Sequence, residues 1–185
     1  MFAMEREAAS FRRRGLPVHI RVSGIGREKA RSAIEAALRE SKPDLVIAAG
    51  FCGAIVPDLK VGDIIESPHI LTVDHLVGDP HEKARLAERT GARAVDMESA
   101  AIAAVCAESG IAFIAIRAVS DTSGTALSPG LAKLLSGGHV SIPKACLALV
   151  KRPSLLREFL RLSRDTKLAA RKLADALAER IDCTL

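Results

Sequence analysis

Three acidic residues, Glu98, Asp121 and Glu7, stand where this chain could do chemistry. Asp96-Met97-Glu98-Ser99 opens a stretch of helical composition, Arg117-Ala118-Val119-Ser120-Asp121 closes an apolar run, and Glu7 follows a short predicted N-terminal strand. A carboxyl group is a general base when ionised and a general acid when protonated, and it stabilises a cation that develops during a reaction. An acid at a helix start also caps the helix or faces its dipole, and an Asp after a strand also makes a turn. Glu98 and Asp121 fall on the same end of the predicted sheet, however, and together they point to a carboxylate-based site.

Other chemistries lack their residues. Ser23-Gly24-Ile25-Gly26 follows a predicted strand and opens a helix, but Lys29 stands where a dinucleotide fingerprint has its third glycine. Those glycines still let backbone N–H groups approach an anion or a sugar oxygen closely. No G-x-S-x-G and no Walker A pattern occurs. The four cysteines, Cys52, Cys106, Cys146 and Cys183, are far apart and do not group with the five histidines, so no metal site is expected and the thiols read as reduced. No organic cofactor is implied.

The elements that must position the acids follow from hydropathy period. Strands are predicted at Val18–Ser23, Asp44–Ala49, Val61–Glu66, Ile70–Val73, Ala94–Asp96 and Ala112–Val119. Arg27–Ser41 carries a stripe at Ala30, Ile34, Ala37 and Leu38 and reads as a helix. Asp79-Pro80, an N-cap followed by Pro in the first turn, opens another helix that runs to Thr90. Glu98–Ser109 and Pro153–Ile181 are helical, Gly50-Phe51-Cys52-Gly53 breaks its strand as a turn, and Gly124–Gly138 reads as a loop. Strands alternating with helices predict an α/β fold with a largely parallel sheet, which takes ligands at the carboxyl ends of its strands. That end holds Gly24–Gly26, Gly50–Gly53 and Ser120–Thr122.

A chain of 185 residues fits one domain, 1–185, with a C-terminal helical region at 153–181. Its 49% hydrophobic and 26% charged residues exclude intrinsic disorder. The net charge of +5 comes from Arg12–Arg14 and from Lys151–Arg180, and the 3% of aromatic residues are all Phe. Stacking platforms are therefore scarce, and the basic residues read as solvated helix faces rather than a nucleic-acid groove. No apolar run approaches the ~18 residues of a membrane span, and the first residues contain no apolar leader core. A soluble, cytoplasmic protein is expected.

Five segments, in order, give the chain a specific resemblance: Ala3–Ala8 (AMEREA), Ser23–Gly26 (SGIG), Lys42–Ile65 (KPDLVIAAGFCGAI followed by VGDII), Ala94–Ala103 (AVDMESAAIA) and Ile116–Gly124 (IRAVSDTSG). They resemble the nucleoside phosphorylase superfamily, in the branch of methylthioadenosine/S-adenosylhomocysteine nucleosidases and hopanoid-associated nucleosidases. The resemblance implies a three-layer α/β/α fold around a central, largely parallel (mixed) sheet, shortened here between Ile65 and Ile70, where the family carries extra sheet and part of its dimer contact. A homodimer is the assembly it suggests.

What the resemblance implies for function is hydrolysis of the N-glycosidic bond of a purine nucleoside of adenosine type, with a modified 5′ group as one option. Glu7 matches the acid that activates water, Glu98 the acid that binds the ribose hydroxyls with Met97 packed on the sugar, and Asp121 the acid that protonates or hydrogen-bonds the leaving purine. Ser120 falls by the base, Gly50, Phe51, Cys52 and Gly53 by the sugar, and His75 where the family clamps the base. Phosphorolysis, with phosphate as co-substrate, is the alternative within the same class; a nucleoside-binding protein without turnover is the alternative outside it. Water is favoured because phosphate needs a cationic cradle: Ala48–Ala54 contains no basic residue, Arg6 points away from Glu7 if that segment is extended, and Arg27 opens a solvated helix.

Overall fold

The longest apolar runs of the sequence become the two central strands. In the computed structural model, which describes residues 1–127 and 153–182, β1 (Leu45–Ala54) and β5 (Ala112–Asp121) pair in parallel, from Leu45 opposite Ala112 to Gly53 opposite Asp121, with a bulge between Cys52 and Gly53. Short strands complete a five-stranded sheet in the order β2-β5-β1-β4-β3, with β2 at Ile64–Glu66, β3 at Ile70–Thr72 and β4 at Ala94–Asp96. β2 runs antiparallel to β5 and β4 antiparallel to β1, while β3 is parallel to β4. The sheet is therefore mixed.

Because side chains alternate along a strand, each central strand feeds two layers. Val46, Ala48 and Ala115 pack with Ala30 and Ile34 of α2 (Arg27–Glu40). Ile102, Val105 and Cys106 of the apolar α4 (Ser99–Glu108) join the same layer. On the other face Ala49, Ile116 and Ala118 meet Ala8 and Phe11 of α1 (Glu5–Arg12) and Ala169, Leu173 and Leu177 of α5 (Pro153–Asp182). The remaining helix, α3 (Pro80–Thr90), is capped as predicted: the Asp79 side chain accepts from the His81 N–H, and Gly91 closes the helix at φ 67°.

Only Ser67–His69 link β2 at one edge of the sheet to β3 at the other. Five flat strands would put those edges about 19 Å apart, and the link reaches at most about 14 Å. The sheet therefore curls on itself. Cys52, Ala54, Ile65, Ala94 and Val119 fill the inside of the curl together with Leu59. The short link falls where the resemblance placed a missing family segment.

Four local expectations are corrected. Gly50–Gly53 is not a turn: β5 supplies a ladder partner for each of those residues, and pairing overrides the glycines. Val18–Ser23 is not a strand, because only Phe2 and Ala3 reach its end; Val22 makes a single bridge to Phe2, and Val18–Ile20 line a groove instead of a neighbouring strand. Glu7 does not follow an N-terminal strand but sits inside α1. The strand predicted from Val61 begins at Ile64. Beyond Leu127 the predicted loop to Gly138 lies outside the described residues, as do Cys146 and Cys183; Cys52 and Cys106 are free and buried.

Candidate active site

The carboxyl ends of β1, β4 and β5 converge on one buried cation. Arg117 lies on the same face of β5 as Ala115, two residues beyond it, and is only 1% exposed. Its Nε donates to Asp96 Oδ2 at 2.9 Å and its Nη2 stands 2.6 Å from the same oxygen, while Nη2 also donates to Ser99 Oγ at 3.0 Å. Asp96 is equally buried; its Oδ2 accepts from the Ser99 N–H at 3.1 Å and its Oδ1 from Thr72 Oγ1 at 2.7 Å. Asp96 thus caps the start of α4, the task that sequence position alone would assign to Glu98.

Glu98 is left free for other work. Its carboxylate makes no capping bond; Oε1 accepts from the Gly26 N–H at 2.8 Å, and Oε2 stands 4.0 Å from Arg117 Nη2. The Gly24-Ile25-Gly26 turn can present that amide because Gly24 and Gly26 adopt φ 89° and 99°, which side chains resist. Burial pushes the Glu98 carboxyl above the usual carboxylate range, against the pull of Arg117 and the Gly26 N–H.

Glu7 approaches the same guanidinium over Gly50. Its Oε2 accepts from the N–H groups of Ala3 and Met4 at 3.1 and 2.8 Å, and its Oε1 from the Phe51 N–H at 3.0 Å. A Cβ on Gly50 would lie 2.3 Å from Arg117 Nη1 and 3.1 Å from Glu7 Oε1. Only glycine therefore leaves room for both the acid and the cation over this point of β1. Burial raises the Glu7 carboxyl, opposed by Arg117 and by the Phe51 and Met4 amides. Burial alone would lower Arg117, but Asp96, Glu98 and Glu7 outweigh it and hold the guanidinium more firmly protonated than usual.

Asp121 ends β5 beyond the bulge, where the shifted register sets it opposite Gly53 of β1. Its Oδ2 accepts from Lys83 Nζ at 2.5 Å and its Oδ1 from Ser120 Oγ at 3.0 Å; the Ser120 hydroxyl also stands 3.2 Å from the Cys52 carbonyl. A Cβ on Gly53 would come within 3.1 Å of Asp121 Oδ2, so this glycine too serves a close approach. Cys52 is buried beside the pair, and burial pushes its thiol up, out of the range of a nucleophile at neutral pH.

The predicted residues divide accordingly. The structure gathers Glu7, Glu98, Gly50 and Phe51 around Arg117, and Ser120, Cys52 and Gly53 around Asp121, with Met97, half-buried, between Asp96 and Glu98 in the chain. His75 joins neither group: its Nε2 lies 2.8 Å from Glu82 Oε1 and its side chain is 64% exposed. Arg6 is exposed on α1, and Arg27 is held at the surface by Asp74 and the Thr72 carbonyl. The cation missing from Ala48–Ala54 is present after all, contributed by β5 as Arg117. Sequence reasoning missed Arg117, Asp96 and Lys83 as parts of the site. The signal for Arg117 was a charge inside the buried run AFIAIRAV; that for Lys83 was its helical spacing with Leu86 and Ala87, which lie on the inner side of α3.

A groove of about 570 Å³ near Val18–Arg21, Leu38 and Leu177 at the start of β1 contains none of Glu7, Glu98 or Asp121. Among the described residues no group of three or more His, Cys, Asp or Glu side chains is arranged for a metal ion, and no helix is long and apolar enough to cross a membrane.

Comparison with known proteins supplies the remaining context. The model of the Phosphorylase superfamily matches residues 5–67 and 69–133. The chain is similar to a 5′-methylthioadenosine/S-adenosylhomocysteine nucleosidase of Exiguobacterium sp., 23% identical over 189 residues covering 74% of this chain and 81% of that one. A protein of the same description from Anoxybacillus flavithermus is 28% identical over 162 residues, covering 60% and 70%. Both alignments are longer than the part of this chain that enters them, as a segment absent from this chain requires. Among solved structures, futalosine hydrolase of Helicobacter pylori superposes with a TM-score of 0.70 at 15% identity, covering 98% of this chain and 95% of that one. The nucleosidase of Neisseria meningitidis in complex with methylthio-immucillin-A gives 0.69 at 20%, covering 97% and 96%.

Proposed function

Because the chain belongs to the Phosphorylase superfamily, we propose that it is a purine nucleosidase that hydrolyses the N-glycosidic bond of an adenosine-type nucleoside with a modified 5′ group. One observation carries this reading: Glu7 and Arg117 meet over Gly50, with Glu98 beside the same guanidinium. Breaking the bond builds positive charge on the sugar and negative charge on the base. Carboxylates at the sugar offset the first; an acid at the base offsets the second.

In this reading Glu98 accepts hydrogen bonds from the ribose hydroxyls, Met97 packs on the sugar, and Glu7 takes a proton from the attacking water. Its raised carboxyl makes it a stronger base than a solvated one once it is ionised. Asp121, with Ser120 beside it, assists the departing purine at the end of β5. Arg117 orients the two glutamates and is unsuited to cradle phosphate, because Asp96 already occupies its Nε and Nη2 and two more carboxylates flank it. No cofactor enters these steps. The partner is a small-molecule nucleoside, and a homodimer is the proposed assembly.

The reading is tested by chromatography of free base after incubation with a panel of purine nucleosides, the Glu7→Gln variant serving as control. Adenine release from 5′-substituted adenosines, lost in Glu7→Gln, is the expected result. Binding of these nucleosides with no release of base would replace the enzyme by a nucleoside-binding protein.

A further inference from the structure

Lys83 has the most fully buried ammonium among the described residues, at 0% exposure, and no step above uses it. It reaches from the inner side of α3 to the end of β5. Its three protons have three acceptors: Asp121 Oδ2 at 2.5 Å, the Thr122 carbonyl at 2.8 Å and the Thr125 carbonyl at 3.5 Å. A buried ion pair adds little stability over apolar residues of the same shape, so stability alone does not explain its presence. It sits on the acid assigned to the leaving base.

We infer that Lys83 is the positioning residue of Asp121, holding Oδ2 so that Oδ1 is presented to the base beside the Ser120 hydroxyl. This rests on the nucleosidase reading and deepens it. The carboxylate has two oxygens and two partners: Lys83 takes one, and the other is bound only by the Ser120 hydroxyl, whose single proton also has the Cys52 carbonyl in reach. Lys83 also ties the Thr122–Thr125 turn to the same point, so that acid, turn and helix move as one body. The groups facing Asp121 are Lys83 from α3, Ser120 from its own strand, and the Cys52 thiol from β1, which burial keeps neutral. Lys83 is thus the one positive charge against Asp121 among the described residues.

The test compares wild type, Lys83→Met, Asp121→Asn and the double variant for base release from 5′-methylthioadenosine. Lys83→Met is expected to lower kcat by about 100-fold, as a small misplacement of a reacting group does, with KM within about 3-fold. The double variant is expected to be no slower than Asp121→Asn alone. It also removes both buried charges, so the comparison holds where Lys83→Met alone fails to fold. Unchanged kcat in Lys83→Met, or a further fall in the double variant, would overturn the inference. Full activity in Asp121→Asn, or no base release by wild type, would instead overturn the reading on which it rests.

Discussion

At the scale of single residues, the site is an arrangement of acids whose environments differ. Burial raises both Glu7 and Glu98, but the Ala3, Met4 and Phe51 amides reach Glu7, while Glu98 draws on those of Gly26 and Met97. A base must be ionised to work, and a raised carboxyl stays protonated to higher pH. The kcat/KM profile is therefore expected to lose activity with falling pH at a point above the ordinary ~4.3 of a glutamate. In Glu7→Gln that limb disappears and kcat falls by about 10²–10⁴-fold; a pH–rate series on both proteins checks this. Glu98→Gln is expected to weaken ribonucleosides by about 1.5–3 kcal/mol and to leave 2′-deoxy analogues much less affected, measured as the ratio of their KM values. Equal losses would return Glu98 to a structural role, although Asp96 already caps α4. The acids were legible in the sequence because AVDMESAAIA and IRAVSDTSG are specific. The cations were not: a lysine in the charged helix PHEKARLAERT looks solvated until the inner side of that helix is known.

At the scale of elements, two strands and one glycine decide whether the site exists. β1 and β5 were legible as continuous apolar runs, as were the helices that cover them. Gly50–Gly53 was misread because glycine weakens a strand by its own preference. Here the reason for glycine is steric: Glu7 and Arg117 occupy the space a Cβ would need at Gly50. Gly50→Ala is expected to cost about 1–3 kcal/mol in a urea titration, as overpacking does, and to lower kcat by separating the pair. The strand expected at Val18–Ser23 fails for a different reason. A strand is made by its neighbours, and hydropathy cannot report that Val18–Ile20 has none.

At the scale of the molecule, the curled sheet brings the ends of β1, β4 and β5 together although the link from β2 to β3 is only three residues long. The α/β class was legible from alternation; the curl was not, because it depends on the length of that link and on Cys52, Ala54, Ile65, Ala94 and Val119 filling its interior. The outcome is one guanidinium among three carboxylates, a field that suits a developing sugar cation and repels a phosphate dianion. The most direct measurement is release of adenine from 5′-methylthioadenosine with phosphate rigorously removed and then restored, with both products identified. The account predicts the same rate in both conditions, with the free 5-methylthioribose sugar as co-product; strict dependence on phosphate, with the sugar 1-phosphate as co-product, would contradict it.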